Sequence, residues 1–187
     1  MKWGEQTIDR LYFIGIGGIG MSGLARYAKQ IGLDVAGYDK TRTALTHELE
    51  QEGISIGFED STDHFNHWFD PAAHKSTGIV HTPAVPSSHS LFERVSALGL
   101  PVLKRSEMLG AIARRFETFA VAGTHGKTTT TAMLTHLLEN TPGGCNAFLG
   151  GILSSTGSNV LLNPKSTRLV VEADEFDRSF LQLNPTH

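Results

Sequence analysis

The sequence predicts an α/β chain: a parallel, doubly wound sheet followed by the start of a second α/β unit. Three observations predict it. Short apolar runs alternate with helix-spaced runs along most of the chain, the pattern that makes parallel sheets with helical crossovers. Two of the apolar runs lead straight into glycine-rich turns that open helices, at residues 15–20 and 123–128. The strand–turn–helix rhythm also restarts after Arg115, so the 187 residues read as two units. No Pro/Gly linker marks the boundary, which falls near residues 106–117; the expected division is 1–107 and 108–187.

In chain order, Leu11–Ile14 reads as a strand and Met21–Ile31 as a helix, with Met21, Leu24, Ala25, Ala28 and Ile31 on one face and Gly32 as the stop. Val35–Tyr38 is a second buried strand, with Asp39 at its end. A helix over 43–51 and a short strand over Ile54–Ile56 follow; residues 60–76 are polar and mixed and give no clear element. Gly78–His81 reads as a strand running into the turn-rich stretch 82–88, His89–Leu98 as a helix and Pro101–Lys104 as a strand. Ser106–Arg114 suits a helix with Ser106 as its cap. In the second unit, Thr118–Ala122 is a strand, 123–128 a loop and Thr129–Glu139 a helix, with further strands at Phe148–Leu153 and Arg168–Val171.

Composition bounds the function. With 40% hydrophobic and 19% charged residues the chain is globular. A net charge of −3 supplies no global field for nucleic acid or an anionic membrane, so any anion site is local. The single cysteine, Cys145, forms no intramolecular disulfide and no multi-Cys zinc site, which makes a reducing cytoplasm the default and gives Cys145 a structural role. The apolar stretch Leu11–Met21 is broken by four glycines and is too short to span a bilayer, which needs about 20 residues. It also lacks a signal-peptide cleavage pattern, so no membrane insertion is expected. His64 and His67 lack a third ligand and read as a structural pair. Lys104, Arg105, Arg114 and Arg115 read as solvated surface charge.

The first glycine turn, Gly15-x-Gly17-x-x-Gly20, fits the dinucleotide fingerprint of a Rossmann-like unit. The first glycine permits the turn, the second admits a pyrophosphate, the third allows close helix packing, and the N-terminus of the following helix offers free N–H groups to the phosphates. Asp39, 19 positions after Gly20, stands where a carboxylate accepts from a ribose, which taken alone favours NAD. The motif does not say which nucleotide binds.

The second turn, Gly123-Thr124-His125-Gly126-Lys127-Thr128-Thr129, has the chemistry of a P-loop. Backbone N–H groups wrap phosphates, Lys127 reaches the β and γ oxygens, and the Thr128 hydroxyl ligates magnesium. The loop is shortened: the usual spacing would put a glycine at position 121, which is Val121. The apolar run Arg168–Val171 ends in Glu172 and Asp174, carboxylates suited to the same magnesium. His125 lies inside the loop and is open to three roles: substrate contact, phosphate contact or loop shape.

Gly15-Ile-Gly-Gly-Ile-Gly-Met21, Gly123-Thr-His-Gly-Lys-Thr-Thr-Thr-Thr131 and Glu172-Ala-Asp-Glu175, in this order and spacing, resemble the Mur ligase family of peptidoglycan synthesis. The resemblance implies a Rossmann-like domain for a UDP-sugar substrate, followed by the start of a P-loop ATPase-type α/β domain. It implies ATP and Mg2+ as cofactors and UDP-N-acetylmuramate and L-alanine as substrates. Gly15, Gly17, Gly18, Ile19, Gly20 and Asp39 would then serve the UDP substrate, and Gly123 to Thr129 ATP. Lys127 and His125 would be catalytic, and Thr128 and Glu172 metal ligands. It further implies that the chain is a fragment of a three-domain enzyme and inactive alone. A murein-tripeptide recycling ligase of the same family is the alternative, and an NAD-dependent oxidoreductase, which would have no use for Lys127 or Glu172, is the competing class.

Overall fold

The computed structural model describes residues 2–3, 6–69, 72, 76–153, 157–174 and 180–187. They form two compact units, Met1–Arg105 and Ser106–His187.

The first unit opens with a two-stranded antiparallel ribbon, β1 (Lys2–Trp3) and β2 (Gln6–Thr7). The chain then alternates: β3 (Arg10–Ile14), α1 (Ile19–Gln30), β4 (Asp34–Tyr38), α2 (Ala44–Gln51), β5 (Ser55–Gly57), α3 (Asp63–Trp68), β6 (Thr77–His81), α4 (Ser90–Ala97) and β7 (Val102–Lys104). The strands make one parallel sheet in the order β5-β4-β3-β6-β7. The order reverses between β3 and β6, so a crevice opens beyond their carboxyl ends, the place where doubly wound sheets bind ligands.

A parallel sheet covered on both faces needs apolar side chains on both, and Leu11, Tyr12, Phe13 and Ile14 of β3 are all buried. Tyr12 and Ile14 share one cluster with Tyr38, Phe65, Ile79 and Leu91, and the Phe65 ring meets Tyr12 edge-on at 5.0 Å. Each such side chain contributes about 1.5–3 kcal/mol of burial. Helix ends follow local chemistry. Gly32, at φ 85, terminates α1 as expected. Thr43 and Thr46 cap α2 reciprocally. At α4 the cap is the His89 imidazole, whose Nδ1 accepts from the Leu91 amide at 3.2 Å.

In the second unit, α5 (Arg105–Ala113, its first residue belonging to the first unit) leads to β8 (Glu117–Val121), α6 (Lys127–Glu139), β9 (Asn146–Leu153), β10 (Ser158–Leu161) and β11 (Arg168–Glu172). Their sheet order is β10-β9-β11-β8. Its core gathers Cys145, Ala147, Leu149 and Val170 under Leu134 and Leu138 of α6.

The first unit's sheet is parallel throughout, as expected, and in the second unit β10 runs antiparallel to β9 in a pairing that needs no helical crossover. Two expectations are corrected. Residues 60–76 do contain a helix, α3, anchored by one buried aromatic, Phe65, too little for a visible period. Ser106 does not cap α5: the helix starts one residue earlier and buries Ser106 inside it.

Candidate functional site

The first glycine turn follows β3 at the switch point, and its own protein fills most of the space beside it. Gly15 has φ +86, and the Gly15 and Ile16 amides donate to the Tyr38 carbonyl at 2.7 and 3.0 Å. A Cβ on Gly15 would lie 2.5 Å from Thr82 Cγ2. The Gly17 amide donates to Asp39 Oδ2 at 2.8 Å, and a Cβ there would lie 2.9 Å from that oxygen and 2.7 Å from Thr46 Cγ2. Asp39 Oδ1 accepts from the Thr41 amide at 3.0 Å. The carboxylate that spacing aimed at a ribose is thus already holding the turn through both oxygens, while still lining the adjacent cleft.

Gly18 differs: its φ is −65 and a Cβ would meet nothing closer than 3.6 Å. Gly20, expected to allow close helix–strand packing, instead makes room for a side chain, since a Cβ there would lie 3.1 Å from Arg105 Cδ and Nη1. Arg105, read from sequence as solvated surface, is half-buried against the first turn of α1.

Beside the turn lies a cleft of 370 Å³ lined by Gly15, Gly17, Gly18, Asp39, Thr82 and Val85 among others. A second recess of 450 Å³ reaches Phe58 and Asp60 and shares Tyr38, Lys40, Pro86 and His89 with it. His89 is central. Its side chain is 8% exposed, its ring sits 4.5 Å from Tyr38, and its Nε2 lies 3.0 Å from Asp60 Oδ1 without hydrogen-bond alignment. Burial, then the charges of Asp60 and Asp39, raise the Tyr38 pKa above its usual 10.0, so the hydroxyl remains a donor. The Arg42 guanidinium stacks 3.8 Å over the Phe58 ring.

In the second unit, β8 ends at Val121, so the shortened phosphate loop leaves directly from the strand end. Gly126 caps α6 in the left-handed region, φ 76, with no side-chain cap. The helix therefore presents first-turn N–H groups and the positive end of its dipole to the loop. Lys127 Nζ donates to the Gly123 carbonyl at 2.8 Å, and His125 is exposed. Because β11 pairs with β8 in parallel, Glu172 stands opposite Val121, at the root of the loop. There Thr128 Oγ1 donates to Glu172 Oε2 at 3.2 Å, and Glu172 Oε1 accepts from the Gly150 amide at 2.8 Å. A hydroxyl and a carboxylate brought together from separate elements suit a magnesium ion that keeps its remaining positions for phosphate and water.

Of the residues singled out in sequence, Gly15, Gly17, Gly18 and Asp39 line one cleft, and Thr128 and Glu172 meet at one point. Glu175 lies outside the described residues. His64 is not shared with His67 over a metal: its nitrogens lie 3.0 Å from the Tyr12 hydroxyl and 2.9 Å from Ser55 Oγ. Among the described residues no group of three His, Cys, Asp or Glu side chains is placed to hold a metal ion, and no helix is long and apolar enough to cross a membrane. Sequence reasoning missed Tyr38, Lys40, Phe58, Asp60 and His89 as site residues; only His89 carried a signal, its place at the expected start of a helix.

A switch-point glycine turn followed by a shortened phosphate loop over a hydroxyl–carboxylate pair places the chain in a class. It belongs to the Mur ligase family: the family model described as "Mur ligase family, catalytic domain" matches residues 10–117. The particular relatives are specific. UDP-N-acetylmuramate–L-alanine ligase of Phocaeicola vulgatus is 49% identical over 180 residues, covering 96% of this chain and 39% of that protein. The enzyme of the same name from Porphyromonas gingivalis is 50% identical over 179 residues, with 95% and 39% covered. Among solved structures, the UDP-N-acetylmuramate-alanine ligase MurC of Thermotoga maritima superposes with TM-score 0.82 at 34% identity, over 94% of this chain and 39% of that one. The UDP-N-acetylmuramate:L-alanyl-gamma-D-glutamyl-meso-diaminopimelate ligase of Neisseria meningitides gives 0.84 at 28% identity, over 96% and 59%. The chain thus spans about two fifths of the length of the curated relatives it matches.

Proposed function

We propose that this chain is the N-terminal part of a cytoplasmic UDP-N-acetylmuramate–L-alanine ligase that uses ATP and Mg2+. Residues 1–107 form the UDP-substrate domain and 108–187 the beginning of the ATP-binding ligase domain. The observation that carries this reading is the Thr128–Glu172 contact beneath the loop that opens with Gly126 and Lys127, at 3.2 Å. An oxidoreductase has no use for it.

In the proposed reaction the γ-phosphoryl group of ATP passes to the lactyl carboxylate of UDP-N-acetylmuramate, giving an acyl phosphate and ADP. The amine of L-alanine attacks the acyl carbon, and phosphate leaves from the tetrahedral intermediate. The amides of Thr128 and Thr129 cradle the phosphates with Gly123, Thr124 and Gly126, Lys127 draws negative charge from the migrating group, and His125 stands beside it. Thr128 and Glu172 would hold magnesium, which would supply charge neutralisation at the phosphate oxygens. In the first unit Gly15, Gly17, Gly18, Ile19 and Gly20 take the diphosphate, and Asp39 keeps the turn in shape while facing the cleft. Positioning and electrostatics supply most of the rate.

Two relatives at 49% and 50% identity bearing the alanine-ligase name support alanine over a tripeptide. Titration tests the first step: the chain binds UDP-N-acetylmuramate and not NAD, and the reverse result refutes the ligase reading. Turnover of the full-length parent with L-alanine, L-serine, glycine and a tripeptide tests the second; preference for the tripeptide assigns the recycling ligase instead. The chain alone is expected to release no alanine-dependent phosphate.

A further inference from the structure

We propose that Arg105 clamps the second, sugar-proximal phosphate of the bound UDP-sugar; this rests on the UDP-substrate reading above. The Arg105 guanidinium lies where a Gly20 side chain would otherwise stand, against the second residue of α1. That end of α1 has no side-chain cap and no acidic residue in its first turn. A helix N-terminus carries partial positive charge, so a cation packed against it is repelled unless an anion lies between them. None of the described residues supplies that anion: Arg105 forms no hydrogen bond or ion pair among them, although it is half-buried. By contrast, Arg26 on the same helix is held by Glu48 at 2.7 Å and Glu52 at 2.8 Å.

The neighbouring cleft indicates which part of the ligand Arg105 meets. Gly15, Gly17, Gly18 and the 8%-exposed His89, whose Nε2 makes no hydrogen bond, line the cleft on the side of β4 and β6. Arg105 follows β7, one strand beyond β6, and is not among the cleft's lining residues. A ligand with its nucleoside and first phosphate in the cleft runs across the helix start, and its second phosphate arrives at Gly20 and Arg105. The planar guanidinium donates two parallel hydrogen bonds to such a group, which an ammonium cannot match. The third glycine of the turn is then required for access of an arginine to the diphosphate.

The test is calorimetric titration of the whole chain with UDP, UMP and UDP-N-acetylmuramate, using wild type, Arg105→Gln, Arg105→Lys and Gly20→Ala. Loss of a bidentate charged contact weakens binding by roughly 10- to 100-fold. Arg105→Gln is expected to lose that much for UDP and UDP-N-acetylmuramate while UMP stays within about twofold, and Arg105→Lys to recover part of it. Gly20→Ala, which improves helix propensity, is expected to melt no lower than wild type and still to weaken UDP. Unchanged UDP affinity in Arg105→Gln, or equal losses for UDP and UMP, overturns the assignment of Arg105 alone. Wild type that binds no uridine nucleotide overturns the substrate reading, and the assignment with it.

Discussion

The two glycine-rich turns share a strand–turn–helix plan and differ in what surrounds the glycines. In the first, the space beside Gly15, Gly17 and Gly20 is taken by Thr82, by Asp39 and Thr46, and by Arg105. In the second, Gly126 has nothing within 4 Å of a would-be Cβ, and Gly123 meets only the His125 carbonyl at 3.5 Å. The first turn is part of a packed core and the second is an exposed rim. Glycine at positions 15 and 17 of the first turn is a requirement of fold; in the second turn it is a requirement of backbone dihedral and of ligand approach.

Substitutions sharpen that contrast. The largest expected effect is on the rim: Lys127→Ala in the full-length parent lowers kcat by roughly 100-fold or more, with UDP-substrate affinity unchanged, as steady-state kinetics and titration would show. Unchanged turnover removes Lys127 from the mechanism. Next comes stability. Gly15→Ala meets both a left-handed φ and a Thr82 methyl, and is expected to cost about 2–4 kcal/mol in denaturant unfolding. Gly126→Ala meets only the dihedral and costs about 1 kcal/mol. Equal losses would erase the distinction between core and rim. The smallest effect on folding belongs to Gly18, the one first-turn glycine with ordinary space beside it: Gly18→Ala stays within about 0.5 kcal/mol of wild type while weakening UDP binding at the cleft it lines.

The legible parts of the molecule were those set by local pattern. The helix period from Met21 to Ile31, the stop at Gly32 and the apolar run ending in Glu172 reappear as α1, its terminus and β11. The part that escaped was partnership at long range. Spacing placed Asp39 near a nucleotide, but its grip on the Gly17 amide, 22 residues back in sequence, depends on how β3 and β4 pair. Arg105 looked like surface charge because nothing near it in sequence says that Gly20 leaves it a seat. The antiparallel β10 was invisible for a related reason: alternation of elements gives strand order only when every connection is a crossover.

Cys145 has a practical consequence. The lone thiol is 1% exposed under α6, donates to the Thr135 carbonyl at 3.6 Å, and is pushed by burial from its usual 9.0 to about 11. Raised in the folded state, it stabilises the second unit below pH 9, and that contribution fades between pH 9 and about 11. At neutral pH the buried, protonated sulfur is closed to alkylating reagents until the unit opens. The native chain therefore carries its own single-site clock: the rate at which a thiol reagent labels it reads the opening of the second unit without reporting on the first.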